Sequence, residues 1–233
     1  MIARFKDLCL DANDPLALGA FWARMLDGDV ADAGDDDTRV DPRSARSPAE
    51  SIWVNKVPEP RVGRTRVHLD LRLPGADPAP LLADGARLVR EPNDDGRWVL
   101  ADPDGNEFCA LAADAHSRPG PFQLVVDALD PAAQATWWAG VLGGTAEHGT
   151  IDAMVLGSAG LPWDQWVFDG VSEPKTVKNR MHWDVELAEP EPMALIAAGA
   201  TLLREPIDEA HWWWVLADPE GNEFCAFAPR PTG

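Results

Sequence analysis

The chain has no tyrosine, three cysteines, 20 basic residues against 39 acidic ones, and no long apolar run. Each scarcity excludes something. Cys9, Cys109 and Cys225 are odd in number and far apart, so they form neither a disulfide framework nor a CxxC zinc site. No stretch approaches the ~20 uncharged apolar residues of a membrane span. The opening MIARFKD lacks the apolar centre of a secretory signal, so a soluble cytoplasmic protein is expected. A formal net charge of −19 disfavours nucleic acid and anionic membrane surfaces as partners, and it would attract a cationic ligand. GxSxG, HExxH and phosphate-cradling glycine loops are missing too, which removes the commonest hydrolase and nucleotide-binding signatures. What remains is an ordinary globular composition, 45% hydrophobic and 25% charged over 233 residues, long enough for one or two domains.

The sequence repeats itself. VLADPDGNEFCA at 99–110 returns as VLADPEGNEFCA at 215–226, with Asp104 changed to Glu220. GARLVREP at 85–92 returns as GATLLREP at 199–206, and HLDLRL at 68–73 as HWDVEL at 182–187. DANDP at 11–15 has its partner in DALDP at 127–131. Two copies of one unit therefore account for nearly the whole chain, joined by the breaker-rich HSRPGP at 116–121.

Within each copy the periodicity alternates between strand and helix. Residues 5–11 read as a strand. Asn13 or Asp14 can cap a following helix with Pro15 in its first turn, and Leu18, Phe21, Trp22, Met25 and Leu26 then recur at helical spacing. Strands are expected at 51–57 and 164–169. Between 65 and 73, Val67, Leu69, Leu71 and Leu73 fall on one face, with Arg66, His68, Asp70 and Arg72 on the other. A short helix at 78–84 precedes strands at 87–91, 97–101 and 107–111. Asp102 and Asp218 suit the caps of the tight DPxG turns. The acidic and proline-bearing stretch from Asp35 to Pro48 reads as a solvated loop. Each copy is thus βαβββ twice over.

This element order, the mid-copy histidine strand and the doubled DPDGN/DPEGN turn resemble the vicinal-oxygen-chelate superfamily. That group includes glyoxalase I, the fosfomycin and bleomycin resistance proteins and the extradiol dioxygenases. The likeness is strongest to its glyoxalase-like branch, which ends in GNEFC. It implies an α+β fold of four βαβββ modules, arranged as two incomplete-barrel domains at 1–115 and 121–229. The two would form a pseudo-dimer in one chain, either monomeric or dimerising again.

The resemblance also implies where a metal would sit: on a first-strand residue, a fifth-strand His or Glu, and a last-strand Glu. Here those places fall on Asp7 and Gln123, His68 and His182, and Cys109 and Cys225. Sulfur stands where relatives place a carboxylate, and this is not the family's hard-cation set. A free cysteine is often simply a small buried apolar residue, so no metal or other cofactor is expected. A divalent ion is the alternative, held within a copy or split across the copies as Asp7 with His182 and Cys225, or Gln123 with His68 and Cys109.

Eleven tryptophans are unevenly placed, eight of them in the second copy. Trp22, Trp138 and Trp183 fall on core-facing positions. Trp212, Trp213 and Trp214 cannot all face one core, because neighbouring strand residues point to opposite sides. They follow a two-residue insertion at 207–211 relative to the first copy, and insertions gather at functional rims. The expected site is a cleft in the second copy, lined by Trp166 and Trp212, with Gln123, Arg180, His182 and Cys225 supplying polarity. Asp7, His68 and Cys109 would line its counterpart. A hydrophobic seam between the copies would account for the same tryptophans. Lys178 and Arg180 suit either an anion or neighbouring carboxylates.

The function that fits these features is a metal-independent protein that holds a hydrophobic or aromatic small molecule, cationic ones included, as drug-sequestering relatives do. The alternative is a lyase, isomerase or dioxygenase, dependent on metal or using His182 or His68 as general base. A regulatory partner with vestigial clefts is the third possibility.

Overall fold

The computed structural model describes residues 1–208 and 211–229. The first half runs β1 (Ala3–Ala12), α1 (Pro15–Met25), β2 (Gly28–Gly34), β3 (Asp37–Pro42), β4 (Ile52–Lys56), β5 (Val67–Leu73), α2 (Ala79–Ala83), β6 (Arg87–Arg90), β7 (Trp98–Ala101) and β8 (Glu107–Ala112). The second half repeats the order: β9 (Gly120–Ala128), α3 (Pro131–Leu142), β10 (Thr145–His148), β11 (Asp152–Leu156), β12 (Gln165–Gly170), β13 (Met181–Leu187), α4 (Met193–Ala197), β14 (Thr201–Arg204), β15 (Trp214–Ala217) and β16 (Glu223–Phe227). The α+β class and the tandem βαβββ order are as the sequence predicts. Among the described residues, no helix is long and apolar enough to cross a membrane.

Local chemistry sets the helix starts. Asp14 accepts a hydrogen bond from the Ala17 amide at 3.0 Å, and Asp130 does the same for Ala133 at 3.0 Å, each with proline in the first turn. The repeated turn is tied to these helices. Asp102 Oδ1 accepts from the amides of Asp104 and Asn106, while Oδ2 accepts from the Trp22 indole at 3.3 Å. Asp218 repeats the arrangement with Trp138. Gly105 and Gly221 sit at φ 86° and 83°, a conformation that side chains resist. The DPxG motif is therefore a structural clasp.

Strand pairing crosses the halves. One sheet runs β14-β15-β16-β13-β1-β4-β3-β2 and the other β10-β11-β12-β9-β5-β8-β7-β6. The junctions are antiparallel, β1 with β13 and β5 with β9. Each sheet thus takes four strands from each repeat, and Asp7 shares a sheet with His182 and Cys225 rather than with His68 and Cys109.

The helices cover the convex faces. Val67, Leu69, Leu71 and Leu73 are buried there as alternation predicts, each such side chain contributing about 1.5–3 kcal/mol by leaving water. In the second half, Trp138 sits 4.7 Å from Trp166 and 5.3 Å from Trp183, ring centre to ring centre. The stretch from Asp35 to Pro48 is more ordered than the sequence suggests. Asp35 and Asp36 turn the β2–β3 hairpin at φ 53° and 65°, and Arg43 holds Asp27 and Asp29. Its strands carry too few alternating apolar residues to be recognised from sequence.

Candidate functional site

The concave face of each sheet is a cup with a polar floor. In the first cup, strand register sets Asp7 opposite Asp184 and Cys9 opposite His182. Cys225 stands beside Asp184 on β16, and Trp53 beside Cys9 on β4. In the second, Gln123 faces Asp70 across β9 and β5.

The first cup opens into a cavity of about 520 Å³, within the usual size range of ligand sites. Trp53, Trp212, Trp213 and Phe227 form its aromatic wall. Trp213 stacks on Phe227 at 5.5 Å with 25° between planes, and Trp212 meets the same ring edge-on at 5.1 Å. Lys6, Cys9, His182 and Asp184 form the floor, with Asp35, Asp37 and Glu186 toward the mouth. Residues 209 and 210 of the insertion lie outside the described residues, but His211 and Trp212, which follow them, reach the cavity.

Charge is concentrated at the floor. The Lys6 ammonium pairs with Asp7, lies 3.6 Å from Asp184 Oδ2 and sits 4.2 Å above the Phe227 ring. Burial opposes its charge, yet Asp184 and Asp7 carry its pKa above the ordinary lysine value. Burial raises the pKa of the Asp184 carboxyl, against the pull of Lys6 and His182. Burial, and then the Asp184 charge, push the thiols of Cys9 and Cys225 well above the ordinary range, so both stay protonated. His182 Nδ1 and Asp184 Oδ1 are buried with no hydrogen-bond partner among the described residues.

The second cup is closed by its own hydrogen bonds. Fully buried Asp70 pairs with His68 Nδ1 at 2.6 Å and accepts from Gln123 Nε2 at 2.8 Å and from the Cys109 amide at 2.9 Å. Gln123 Oε1 in turn accepts from Gln165 Nε2 at 2.7 Å. Burial pushes the Cys109 thiol up to about 12. For His68, burial works against the charged form, but Asp70, then Asp127 and Asp169, raise its pKa above the ordinary histidine value. A raised histidine pKa adds stability fully below the unfolded value near 6.5 and loses it as pH rises through the folded value. Urea unfolding from pH 5 to 9 should therefore show His68→Gln losing most stability at the acid end. A loss that is flat with pH would contradict this.

Several expected site residues lie elsewhere. Trp166 is fully buried in the convex-face core, because it faces α3 and not the cup. Gln123 is in the second cup, on the other sheet from His182. Arg180 is committed to Asp104 at 3.1 Å and to the Glu59 carbonyl, and Lys178 to Asp11, so neither is a free anion anchor. Trp212, His182 and Cys225 do line the first cup, while His68, Cys109 and Gln123 meet around Asp70. Lys6, Cys9, Asp70 and Asp184 were not anticipated. For the aspartates a signal existed, HLD and HWD, because residues two apart on a strand share a face. Another cavity of about 570 Å³ lies between the end of α1, α2 and the inter-repeat joint. It lies away from both cup floors, and its walls are bridged by Arg24–Asp84, Arg46–Glu50 and Arg72–Asp164.

The glyoxalase-like domain family model matches residues 7–111 and again 123–227. The chain belongs to the glyoxalase-like domain family. Solved structures agree on the architecture. Glyoxalase I from Zea mays is 13% identical, with a TM-score of 0.66 over 96% of this chain and 92% of that one. A putative dioxygenase from Bacillus subtilis is 11% identical, with a TM-score of 0.63 over 99% and 86%. The cppA protein from Streptococcus pneumoniae is 11% identical, with a TM-score of 0.51 over 98% and 100%. At these identities the likeness concerns the fold. A search of curated proteins by sequence found no match.

The family resemblance implies a metal, and the residues at its places do not fit one. In the first cup Asp7 is paired with the Lys6 ammonium, and the last-strand place holds the sulfur of Cys225 where a carboxylate is expected. Glu223, two residues before Cys225, is held by Lys175 at 2.6 Å. In the second cup Gln123 spends its amide on Asp70 and its oxygen on Gln165. A hard divalent cation prefers free oxygen ligands, and these positions do not offer them.

Proposed function

We propose that this glyoxalase-like protein binds a flat hydrophobic or aromatic small molecule in its first cup, without a metal ion and without converting it. The observation that carries the reading is the cavity walled by Trp53, Trp212, Trp213 and Phe227 above the His182–Asp184 floor. Stacked and edge-on rings recognise flat ligands. The unpartnered His182 Nδ1 and Asp184 Oδ1 can accept a donor from the ligand or from a bridging water. Asp35 and Asp37 near the mouth, in a chain of net charge −19, favour a cationic ligand over an anionic one, while Glu186 is already paired with Arg4 at 2.8 Å. The Lys6 ammonium in the first cup and the hydrogen bonds already made by Asp70 in the second support metal independence. The reading places the protein in the cytoplasm, as a single chain with its internal pseudo-dimer or as a homodimer of it.

Tryptophan fluorescence against three matched probes tests this: naphthylmethylammonium, naphthylmethanol and naphthoate. The expected result is saturable quenching, strongest for the ammonium and weakest for the carboxylate. No saturable quenching by any of the three, together with no thermal shift, would remove the proposal.

A further inference from the structure

The two cups differ along the strand that floors them: Lys6, Asp7 and Cys9 in the first correspond to Phe122, Gln123 and Val125 in the second. Lys6 lies 116 residues before Phe122 in the repeat, so the first cup has an ammonium where the second has a phenyl ring. We propose that Lys6 fills the place of an ion in the first cup and thereby masks a transition-metal site formed by Cys9, His182 and Asp184. This concerns the same cavity as the proposed function, but it does not depend on which ligand enters.

The backbone aims Lys6 into the cup. Phe5 pairs with Val185 and Asp7 with Asp184, and the register shifts between them, leaving Lys6 as the extra residue of a bulge. Bulges re-aim side chains in this way. The ammonium then lies between Asp7 and Asp184, over Phe227, with its side chain only 17% exposed. Directly beside it, Cys9, His182 and Asp184 each offer one donor atom, all within 4.8 Å of one another. A thiolate, an imidazole and a carboxylate suit zinc or cobalt, with donors about 2.0–2.3 Å from the ion, so modest closure would complete the cage.

Within this trio, His182 Nδ1 and Asp184 Oδ1 have no hydrogen-bond partner among the described residues, although the Asp184 carboxyl also faces the thiols of Cys9 and Cys225. A dication there would face the Lys6 ammonium. At about 4 Å, even with water's dielectric constant, that repulsion weakens binding about 30-fold. Removing the ammonium takes away the cation that lies 3.6 Å from Asp184, and a divalent ion would restore positive charge beside that carboxylate. Binding would break the Cys9 S–H bond, with the proton released to solvent as the metal–sulfur bond forms. The trio His68, Asp70 and Cys109 is equally close, but Asp70 is already saturated by His68, Gln123 and the Cys109 amide. Removing Lys6 should therefore create one site and not two.

The test is an anaerobic cobalt(II) titration of the unaltered chain and of Lys6→Met, read by the visible d–d bands and the near-ultraviolet thiolate-to-cobalt band. The variant should bind one equivalent at least about 30-fold more tightly than the unaltered chain, and adding Cys9→Ser should remove the thiolate band. Equal affinity in the two chains would overturn the proposal, as would a folded Lys6→Met chain that takes up no cobalt or keeps its thiolate band without Cys9. If Lys6→Met does not fold, Lys6→Gln, which keeps a polar group between the two carboxylates, carries the same expectations and the same refutations. Tight cobalt binding by the unaltered chain refutes the proposal whatever either variant does. Failure of the naphthyl probes to quench would strike the proposed function and leave this result standing.

Discussion

Trp213→Ala is expected to weaken naphthylmethylammonium binding at least about tenfold, or about 1.4 kcal/mol, while leaving the unfolding midpoint nearly unchanged. Trp213 is half-buried, stacks on Phe227 and faces the cavity. Its ring supplies the flat surface on which an aromatic ligand would lie, and Arg204 already approaches it at 5.4 Å. Truncation removes that surface without opening a hole in the convex-face core. An unchanged dissociation constant would mean that the ligand does not rest on this wall, and that Trp212 and Trp213 serve an interface.

Trp166→Ala should do the reverse. Its ring centre is 4.8 Å from Trp183 and 5.5 Å from Phe168, and it is fully buried. Losing it leaves a cavity that the surrounding indoles cannot fill, costing about 4 kcal/mol of stability. Its contacts are all on the convex side, so a protein that still folds should bind the probe as before. Denaturant unfolding and the fluorescence titration read the two effects separately. A stable variant with lost binding would place Trp166 at the ligand after all.

The contrast between these two tryptophans shows what the sequence could convey. Helical and strand spacing put Trp22, Trp138 and Trp183 beside other apolar residues, which is where the core holds them. Trp166 lies in the core and not in the cleft that the sequence suggests, because the half-buried strands of a cup bury rings on one face and polar groups on the other, and composition does not say which face is which. The crossing of the repeats was legible only as a possibility, because pairing of β1 with β13 rather than β5 depends on contacts distant in sequence. That crossing separates Gln123 from His182. Lys6 carried no sequence signal, since it enters the cup through a bulge that shifts the alternation by one residue. The doubled His-x-Asp strand was visible throughout, and its aspartates prove to organise both floors.

In the proposed function the first cup holds its ligand through aromatic walls and its own fixed charges, with no ion bridging the two. The most direct test is the naphthylmethylammonium titration performed in parallel with excess EDTA and with added zinc or manganese. The dissociation constants should agree within about twofold. Binding that vanishes with the chelator and returns with the cation would contradict it.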